Sequence, residues 1–250
     1  MVLLTRPLSQ VGNLQSLLEN SDLDYVLFPA IEINQIHARP PKQNYDVVIF
    51  VSVNAVIYAK EYFNYVIKES TQIFAVGSTT ARCISDNGLR VDGFPENEAS
   101  SENLLAMPEL SLNNKTILIV KGRGGLEVLR NELSKENVVD YLEVYERSPC
   151  EVIPLHIESL ERFMDNSAGI VMANSVESLR NIYQLISNIR SYHLEEILQR
   201  PIVVLSNRIK EHAKTLGFIN INVVKSQSDE GVLRVLLNID GELSNKKYAK

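Results

Sequence analysis

Short turns rich in hydroxyl groups and glycine follow the apolar runs of this sequence, and they carry most of the residues that could do chemistry. One of them, Gly77-Ser78-Thr79-Thr80, comes directly after the apolar run at 72–76. In an open parallel α/β sheet such turns lie together at the carboxyl edge, where free N–H groups of the following helices point outward. Each hydrogen bond to a charged group contributes about 1.5–3 kcal/mol. We therefore predict an anion-binding edge that includes Arg6, Ser52, Asn54, Gly77, Ser78, Thr80, Ser101, Lys121, Ser175 and Ser228.

Each of these positions also has a simpler interpretation. Ser, Thr and Asn are the usual N-cap residues, so any one of them can serve only to begin a helix. The run "KGRGG" at 121–125 lacks the pattern of a phosphate loop, because Glu127 stands at the third glycine position of G-x-G-x-x-G and no GK[ST] is present. Tyr145 can enter a ligand cleft or pack as an ordinary strand tyrosine, and both alternatives remain open.

The composition excludes several classes of function. The 250 residues are 45% apolar and carry a net charge of −6, and the basic residues are scattered, so we expect no nucleic-acid partner. No apolar run approaches the length of a membrane span, and Val2-Leu3-Leu4 is too short for a signal-peptide core, so we expect a cytoplasmic protein. Cys83 and Cys150 fit reduced structural thiols, and the dispersed histidines favour neither a metal nor a cofactor. A monomer is the default expectation.

Strand-like runs alternate with helical ones, which predicts parallel sheets covered by helices. Three segments recur in the same order, the signature of an internal repeat. The pairs are "DVVIFVSVNAV" with "AGIVMANSVESL", "QIFAVGSTTA" with "PIVVLSNRIK", and "SSENLLAM" with "SDEGVLRV". The last copy lacks a strand-helix-strand unit, and residues 2–29 have that plan. We therefore predict an α/β fold of two similar parallel-sheet lobes, flavodoxin-like or Rossmann-like, one of them discontinuous.

The repeat also predicts the boundaries of the lobes. Residues 1–30 and 152–240 form the discontinuous lobe, because a piece of thirty residues cannot bury a core alone, and residues 37–140 form the inserted lobe. The crossings at 30–38 and 142–150 can pair as a two-stranded β connector, and a cleft between lobes is a favoured ligand site. We expect the polar residues 241–250 to form a frayed tail.

Six short motifs occur in a fixed order along nearly the whole chain. They are "VLLTRP" at the start, "FVSVNAV" at 50–56, "AVGSTTA" at 75–81, "ASSENLL" at 99–105, "VYERSP" at 144–149 and "SQSDEGVL" at 226–233. Together they resemble the uroporphyrinogen-III synthase family. The resemblance implies the same two-lobed fold, no cofactor, and a lyase of tetrapyrrole (haem) biosynthesis. The implied substrate is hydroxymethylbilane, a carboxylate-rich linear tetrapyrrole that hydroxymethylbilane synthase would hand over.

The implied reaction is a cyclisation to uroporphyrinogen III with inversion of the terminal ring, ring D. The substrate loses its hydroxyl as water to give an azafulvene cation, and the substituted carbon of the terminal ring attacks. The resulting spiro intermediate fragments and closes again with that ring reversed. Left alone, the substrate closes directly to isomer I, so the enzyme acts chiefly by positioning.

The resemblance also implies roles for individual residues. Tyr145 matches the family's cleft tyrosine, which assists departure of the hydroxyl, and a phenol with an ordinary pKa of about 10 keeps its proton at neutral pH. Thr80 matches the cleft threonine of the inserted lobe. Ser52, Asn54 and Ser101 match turns that hold substrate carboxylates.

The chain departs from the family pattern in two places. In "VLSNRIK", Ser206 and Ile209 replace the glycine and threonine of the VGxxTA pattern. Leu126 stands where many relatives have a basic residue, which leaves that role to Lys121 or Arg123. A non-catalytic two-lobed tetrapyrrole-binding or polyanion-binding protein is therefore the main alternative, and a nucleotide-dependent enzyme is disfavoured by the missing phosphate loop.

Overall fold

The computed structural model describes residues 1–125 and 127–248. The chain divides into two compact units. Unit 1 comprises Met1–Ile33 and Ser148–Lys250, and unit 2 comprises Asn34–Arg147.

The strands alternate with helices along the chain. The strands are β1 (Val2–Leu4), β2 (Tyr25–Leu27), β3 (Ile31–Gln35), β4 (Val47–Phe50), β5 (Gln72–Ala75), β6 (Thr116–Gly122), β7 (Val138–Pro149), β8 (Ile170–Ala173), β9 (Ile202–Val204) and β10 (Ile221–Val223). The helices are α1 (Gly12–Glu19), α2 (Val53–Tyr58), α3 (Phe63–Val66), α4 (Ser78–Asp86), α5 (Ser101–Leu105), α6 (Val128–Leu133), α7 (Pro154–Asp165), α8 (Val176–Arg190), α9 (His193–Gln199), α10 (Asn207–Thr215) and α11 (Asp229–Tyr248). Short 3-10 turns lie at Leu8–Gln10, Lys60–Tyr62 and Pro108–Leu110.

Each unit is built on a parallel sheet, and the two sheets repeat one topology. Unit 1 has the strand order β10-β9-β8-β1-β2, and the other sheet has the order β3-β7-β6-β4-β5. The strands β2-β1-β8-β9 of unit 1 thus match β7-β6-β4-β5 of unit 2, and the pairs within both sets are parallel. The predicted fold class, α/β with two similar parallel-sheet lobes of which one is discontinuous, is confirmed.

The sheet of unit 1 has an apolar layer on each face. Along β1, Val2 and Leu4 belong to one buried cluster and Leu3 to the other, and all three are fully buried. Successive strand side chains point to opposite faces, so a short continuous apolar run fits a strand that is covered on both sides. Full burial of each such side chain contributes about 1.5–3 kcal/mol. The N-terminal strand is therefore a central part of a core completed by residues from the far end of the chain.

A strand, a polar turn, a helix and a glycine recur in both units. Helix α4 ends before Gly88 and helix α10 before Gly217, at φ angles of 79° and 99°. This left-handed conformation is the usual helix-ending geometry of glycine. This strand-turn-helix segment occurs once in each unit, on the equivalent strands β5 and β9.

The strands β3 and β7 carry the two crossings between units and are neighbours in the sheet order. Strand β7 is twelve residues long, so one strand both extends the sheet of unit 2 and continues into unit 1. The crossings predicted at 30–38 and 142–150 fall on these two strands, and the exact lobe boundaries given by the sequence stay a prediction.

Helix α11 continues to Tyr248 and so includes most of the segment expected as a polar tail over 241–250. Its first turns pack on the core through Val232 and Leu236. The fraying of the tail stays a prediction, and the last two residues lie outside the described part of the chain.

The space around Gly77 provides a test of the fold. A Cβ atom at Gly77 would lie 2.4 Å from the Cβ of Ala99, whereas a Cβ at Gly12, which begins α1, would meet nothing within 4 Å. We expect Gly77→Ala to lower the free energy of unfolding by about 1–3 kcal/mol through overpacking. Gly12→Ala should leave that free energy unchanged or slightly raised, and urea denaturation of both variants measures the difference. Equal stabilities would contradict the close packing of the two turns.

Candidate active site

The carboxyl edge of the unit 2 sheet holds most of the predicted site residues. Each follows or ends a strand of the parallel set or begins a helix at this edge, so the turns lie side by side. The residues at this edge are Ser52 and Asn54 after β4, Gly77, Ser78 and Thr80 after β5, Ser101 at the start of α5, Lys121 near the end of β6, and Tyr145 on β7.

Tyr145 is buried, with 5% of its surface exposed, and its hydroxyl reaches a neighbouring turn. Its Oη atom lies 3.1 Å from the Oγ of Ser52, within hydrogen-bond distance. The ring of Tyr58, on α2, lies 5.9 Å away between centroids and at 31° to the Tyr145 ring. The structure thus brings together the predicted catalytic residue and one of the predicted binding residues.

The backbone of β6 and β7 explains how Tyr145 reaches Ser52 across an intervening strand. Between Lys121 and Gly122 the register shifts by one residue, so that Gly122 lies opposite Tyr145. Such an irregularity redirects a side chain. A Cβ atom at Gly122 would lie 2.6–3.0 Å from the Cζ, Cε2 and Oη atoms of Tyr145. The ring therefore occupies the space that any other residue at 122 would need.

Three of the five serines predicted at these edges cap helices in the structure, whereas Ser78 and Ser101 are the first residues of α4 and α5. Ser52 accepts a hydrogen bond from the backbone N–H of Ala55, and Ser175 accepts one from that of Ser178. Ser228 accepts one from the backbone N–H of Gly231. The N-cap interpretation left open by the sequence therefore applies to these three hydroxyl oxygens. A binding role for them would use the hydroxyl hydrogen or the neighbouring backbone amides.

The turn before α4 has a different character. Gly77 occupies the N-cap position with an extended backbone and has no side chain to satisfy the first-turn N–H groups. Ser78 is exposed and Thr80 is buried at 5% exposure. Asn54, in the first turn of α2, is buried at 7% exposure. The backbone amides of this turn are therefore the edge's best candidates to bind an anion directly.

Lys121 lies within β6 and is buried, and it contacts the exposed Glu127 and the half-buried Tyr141. Its Nζ atom is 3.3 Å from a carboxylate oxygen of Glu127 and 4.3 Å from the centroid of the Tyr141 ring. The Tyr141 hydroxyl donates to the other Glu127 oxygen at 2.7 Å. Burial and the Glu127 carboxylate raise the pKa of Tyr141, and the hydrogen bond from Tyr141 lowers the pKa of Glu127. The sequence predicts Lys121 as a residue that binds a substrate carboxylate, and in the structure its ammonium group forms an ion pair with Glu127 of the same unit.

The last three residues of the "KGRGG" turn are exposed. Arg123 forms ion pairs with Glu143 and Glu146, and Gly124 and Gly125 have φ angles of 75° and 88°. Leu126, where the sequence departs from the family pattern, lies outside the described residues.

The carboxyl edge of unit 1 holds Arg6, Ser175 and Ser228. Arg6 follows β1 and donates from Nη1 to the Oδ1 of Asp229 at 2.5 Å, and Asn13 donates to the other Asp229 oxygen at 2.7 Å. Arg6 Nε and Asn174 Oδ1 are buried without a hydrogen-bond partner among the described residues. The repeat places Arg6 at the position of Lys121. In each unit the cation forms an ion pair with a carboxylate of the same unit, Asp229 for Arg6 and Glu127 for Lys121.

Sequence reasoning missed four contributors to these sites: Tyr58, Glu127, Tyr141 and Asp229. The sequence indicates only that Glu127 stands at the third glycine position of the G-x-G-x-x-G motif. Asp229 stands in the quoted run "SQSDEGVL", but its partner is more than two hundred residues away along the chain. The repeat gave the only usable signal, because it pairs Arg6 with Lys121.

The described residues, 1–125 and 127–248, contain neither a cluster of metal ligands nor a membrane-spanning helix. No group of three or more His, Cys, Asp or Glu residues in this part of the chain could hold a metal ion. No helix there is long and apolar enough to cross a membrane. Cys83 and Cys150 are free thiols, and burial, aided by Glu32, raises the pKa of Cys150 to about 12.

Comparison with known proteins identifies the family. The family model described as uroporphyrinogen-III synthase HemD matches residues 12–234. The chain belongs to this family. The uroporphyrinogen-III synthase of Escherichia coli is 26% identical over 247 residues, which cover 94% of this chain and 99% of that protein.

Solved structures of the uroporphyrinogen-III synthase family have the same fold. The enzyme from Helicobacter pylori superposes with a TM-score of 0.61 at 15% identity, covering 86% of this chain and 93% of that one. A mutant enzyme from Thermus thermophilus gives a TM-score of 0.55 at 14% identity, covering 97% and 99%. The family resemblance stated from the motifs is confirmed.

The Arg6–Asp229 ion pair links the N-terminal and C-terminal segments of unit 1 and can be tested by charge removal. Asp229→Asn should lower the free energy of unfolding by about 1–2 kcal/mol. This is less than the 3–5 kcal/mol typical of a fully buried pair, because the two side chains keep 11% and 17% exposure.

The neighbouring Glu230 provides a matched control. It shares the first turn of α11 and is exposed, so Glu230→Gln should change the free energy of unfolding by less than about 0.5 kcal/mol. Urea denaturation of both variants makes the comparison. Equal losses would assign the effect to the helix terminus and not to the ion pair.

Proposed function

We propose that this chain converts hydroxymethylbilane into uroporphyrinogen III, with inversion of ring D and loss of water. Membership of the uroporphyrinogen-III synthase family over residues 12–234 supports the reaction. The observation that carries the proposal is the meeting of Tyr145 with the capped turns at the carboxyl edge of unit 2. This edge offers many hydrogen-bond donors together with the buried phenol of Tyr145, which suits a carboxylate-rich substrate that needs little conventional catalysis.

The substrate carboxylates bind at helix N-termini. The first N–H groups of a helix have no partner within the helix, and the helix dipole favours negative charge there. The turn at Gly77, Ser78 and Thr80 is our first assignment, followed by the turns at Asn54 and Ser101. In unit 1 the turns at Ser175 and Ser228 take the same role. Arg6 and Lys121 add positive charge that Asp229 and Glu127 partly offset.

Binding of this kind favours the less accessible ring closure. The azafulvene cation closes to isomer I without help, so the protein must hold the terminal ring with its substituted carbon toward the cation. Correct positioning of two reacting groups can supply about 7–11 kcal/mol of rate acceleration. Hydrogen bonds from fixed backbone amides supply such positioning because the fold, and not the ligand, orders them.

Tyr145 donates its proton to the departing hydroxyl. The phenol oxygen is fixed beside Ser52, and the donated proton leaves with the hydroxyl as water. The chemistry needs no metal and no cofactor, because cleavage of the carbon–oxygen bond requires only a proton and the electrons of the adjacent pyrrole.

The cellular location, the oligomeric state and the source of the substrate complete the proposal. We propose that the chain acts in the cytoplasm as a monomer and receives hydroxymethylbilane from hydroxymethylbilane synthase. The support is chemical: a substrate that closes spontaneously to isomer I must reach the second enzyme quickly. Size-exclusion chromatography with light scattering tests the monomer, and a dimer at micromolar concentration would contradict it.

The reaction is tested by the ratio of product isomers. Freshly generated hydroxymethylbilane is incubated with and without the protein, oxidised, and separated by chromatography of the uroporphyrin isomers. We expect isomer III to predominate with the protein and isomer I without it. A folded protein that binds uroporphyrinogen III but leaves isomer I at the uncatalysed level would instead support the non-catalytic binding alternative.

Removal of the Tyr145 hydroxyl tests its catalytic role. We expect Tyr145→Phe to lower kcat about tenfold with KM nearly unchanged. This is below the usual 10²–10⁴-fold contribution of a general acid, because the cation also forms without assistance. Isomer III should remain the main product, since the positioning groups are intact.

Tyr25 provides the control for this prediction. Its hydroxyl also makes a hydrogen bond, to Glu19 at 2.6 Å, but it lies on β2 of unit 1. Tyr25→Phe should leave kcat unchanged in the same steady-state assay. An unchanged kcat in Tyr145→Phe would remove the proton-donor role from Tyr145.

A further inference from the structure

We propose that Ser52 is a positioning residue that directs the Tyr145 proton toward the substrate; this inference rests on the proposed function. The family resemblance alone makes Ser52 a contact for a substrate carboxylate. In the structure its Oγ atom lies 3.1 Å from the Tyr145 hydroxyl and 3.1 Å from the backbone nitrogen of Ala55. Its hydrogen-bonding capacity is therefore directed inward, to a helix cap and to the catalytic phenol.

Either hydroxyl of the Ser52–Tyr145 pair can donate, and the proposal requires that Ser52 does. A serine hydroxyl has one donor hydrogen and two acceptor lone pairs, and the Ala55 N–H occupies one lone pair. If Tyr145 donated to Ser52, its proton would be held inside the protein. If Ser52 donates to Tyr145, the phenol proton is left to point at the substrate. The N–H from Ala55 polarises the Ser52 O–H and makes it a better donor, which favours the second arrangement.

Ser175, the equivalent serine of unit 1, uses its hydroxyl hydrogen within its own helix cap. Ser175 caps α8 in a closed box, in which the Ser178 hydroxyl bonds back to the turn and the Ser175 hydroxyl donates to Ser178. Ser52 has Ala55 at the position of Ser178, and alanine cannot close such a box. The hydroxyl hydrogen of Ser52 is therefore not used by the cap and is available to Tyr145.

Packing holds the two hydroxyls at this distance. The Tyr145 ring lies against Gly122, whose Cβ position it would overlap at 2.6 Å, and it faces the ring of Tyr58 at 5.9 Å. Ser52 is fixed by the cap of α2. A tyrosine has only two side-chain torsions to order, and both are constrained by these contacts. The pair is thus arranged before any substrate binds.

The arrangement fits each step of the proton transfer. The Tyr145 O–H bond breaks and its proton goes to the hydroxyl oxygen of the substrate. The carbon–oxygen bond then breaks and its electron pair leaves with the oxygen as water. The phenolate oxygen of Tyr145 keeps the hydrogen bond from Ser52, which stabilises its negative charge. The terminal ring loses a proton when the macrocycle closes, and that proton restores the phenol.

The test separates the hydroxyl of Ser52 from its capping role. Glycine at an N-cap costs a helix only a few tenths of a kcal/mol relative to serine, so Ser52→Gly removes the hydroxyl with little loss of stability. We expect its kcat to fall about fivefold, as for the loss of one hydrogen bond, with KM nearly unchanged. Ser52→Thr keeps a capping hydroxyl and should stay within about twofold of the unaltered chain.

The double variant is the decisive measurement. If Ser52 acts through Tyr145, then Ser52→Gly combined with Tyr145→Phe should be as slow as Tyr145→Phe alone, because groups that act as one unit are not additive. Ser206 provides the control: it caps α10 in unit 1 through Ile209, so any effect of Ser206→Gly on kcat should multiply with that of Tyr145→Phe.

Three outcomes would overturn the proposal. These are a Ser52→Gly variant with unaltered kcat, a double variant in which the two losses multiply, and a Tyr145→Phe variant as fast as the unaltered chain. A loss confined to KM would return Ser52 to substrate binding and counts as the first of these outcomes. The isomer ratio of the unaltered chain is read in the same assay, so failure of the proposed reaction is recognised separately from failure of the Ser52 role.

Discussion

Parallel pairing of the strands is the constraint on which the rest of this structure depends. In a parallel sheet every strand delivers its following turn to the same edge, and here two sheets of equivalent topology do so. Residues from distant parts of the chain therefore meet without any binding motif in the sequence. Tyr145 and Ser52 are ninety-three positions apart and share a hydrogen bond. Gly122 is the local condition for that contact, because any side chain there would meet the Tyr145 ring.

The cations at these two edges are paired with carboxylates in the same way. The two cations that the repeat makes equivalent, Arg6 and Lys121, are each accompanied by an internal carboxylate. A polyanionic ligand bound as proposed would meet two cations whose charge is partly offset by a neighbouring carboxylate. This suits an enzyme that must orient a reactive chain and then release a product of similar charge. Binding sites with strong, unpaired positive charge would bind substrate and product equally tightly and would not raise kcat.

The sequence was sufficient for the architecture because the relevant signals are local and repeated. Apolar runs such as Val2-Leu3-Leu4 are strands buried on both faces, and the recurring turn and glycine identify the two equivalent helices α4 and α10. The candidate residues also lie where strand ends predict them. What the sequence could not give was the partner of each side chain. The Arg6–Asp229 pair depends on packing between segments 223 residues apart, and the inward direction of the Ser52 hydroxyl depends on Ala55 and on a register shift in β7.

Amide hydrogen exchange of the protein, measured with and without uroporphyrinogen III, tests most directly whether backbone amides at the carboxyl edges bind the ligand. First-turn amides have no partner within their helix, so they exchange quickly in the free protein and slow when a ligand oxygen accepts their hydrogen bonds. We expect slower exchange at the starts of α2, α4, α5, α8 and α11, with the turn at 77–80 most affected and the opposite edge, at 199–202 and 219–222, unchanged. Slowing confined to the opposite edge, or none at the helix starts under saturating ligand, would contradict this mode of binding.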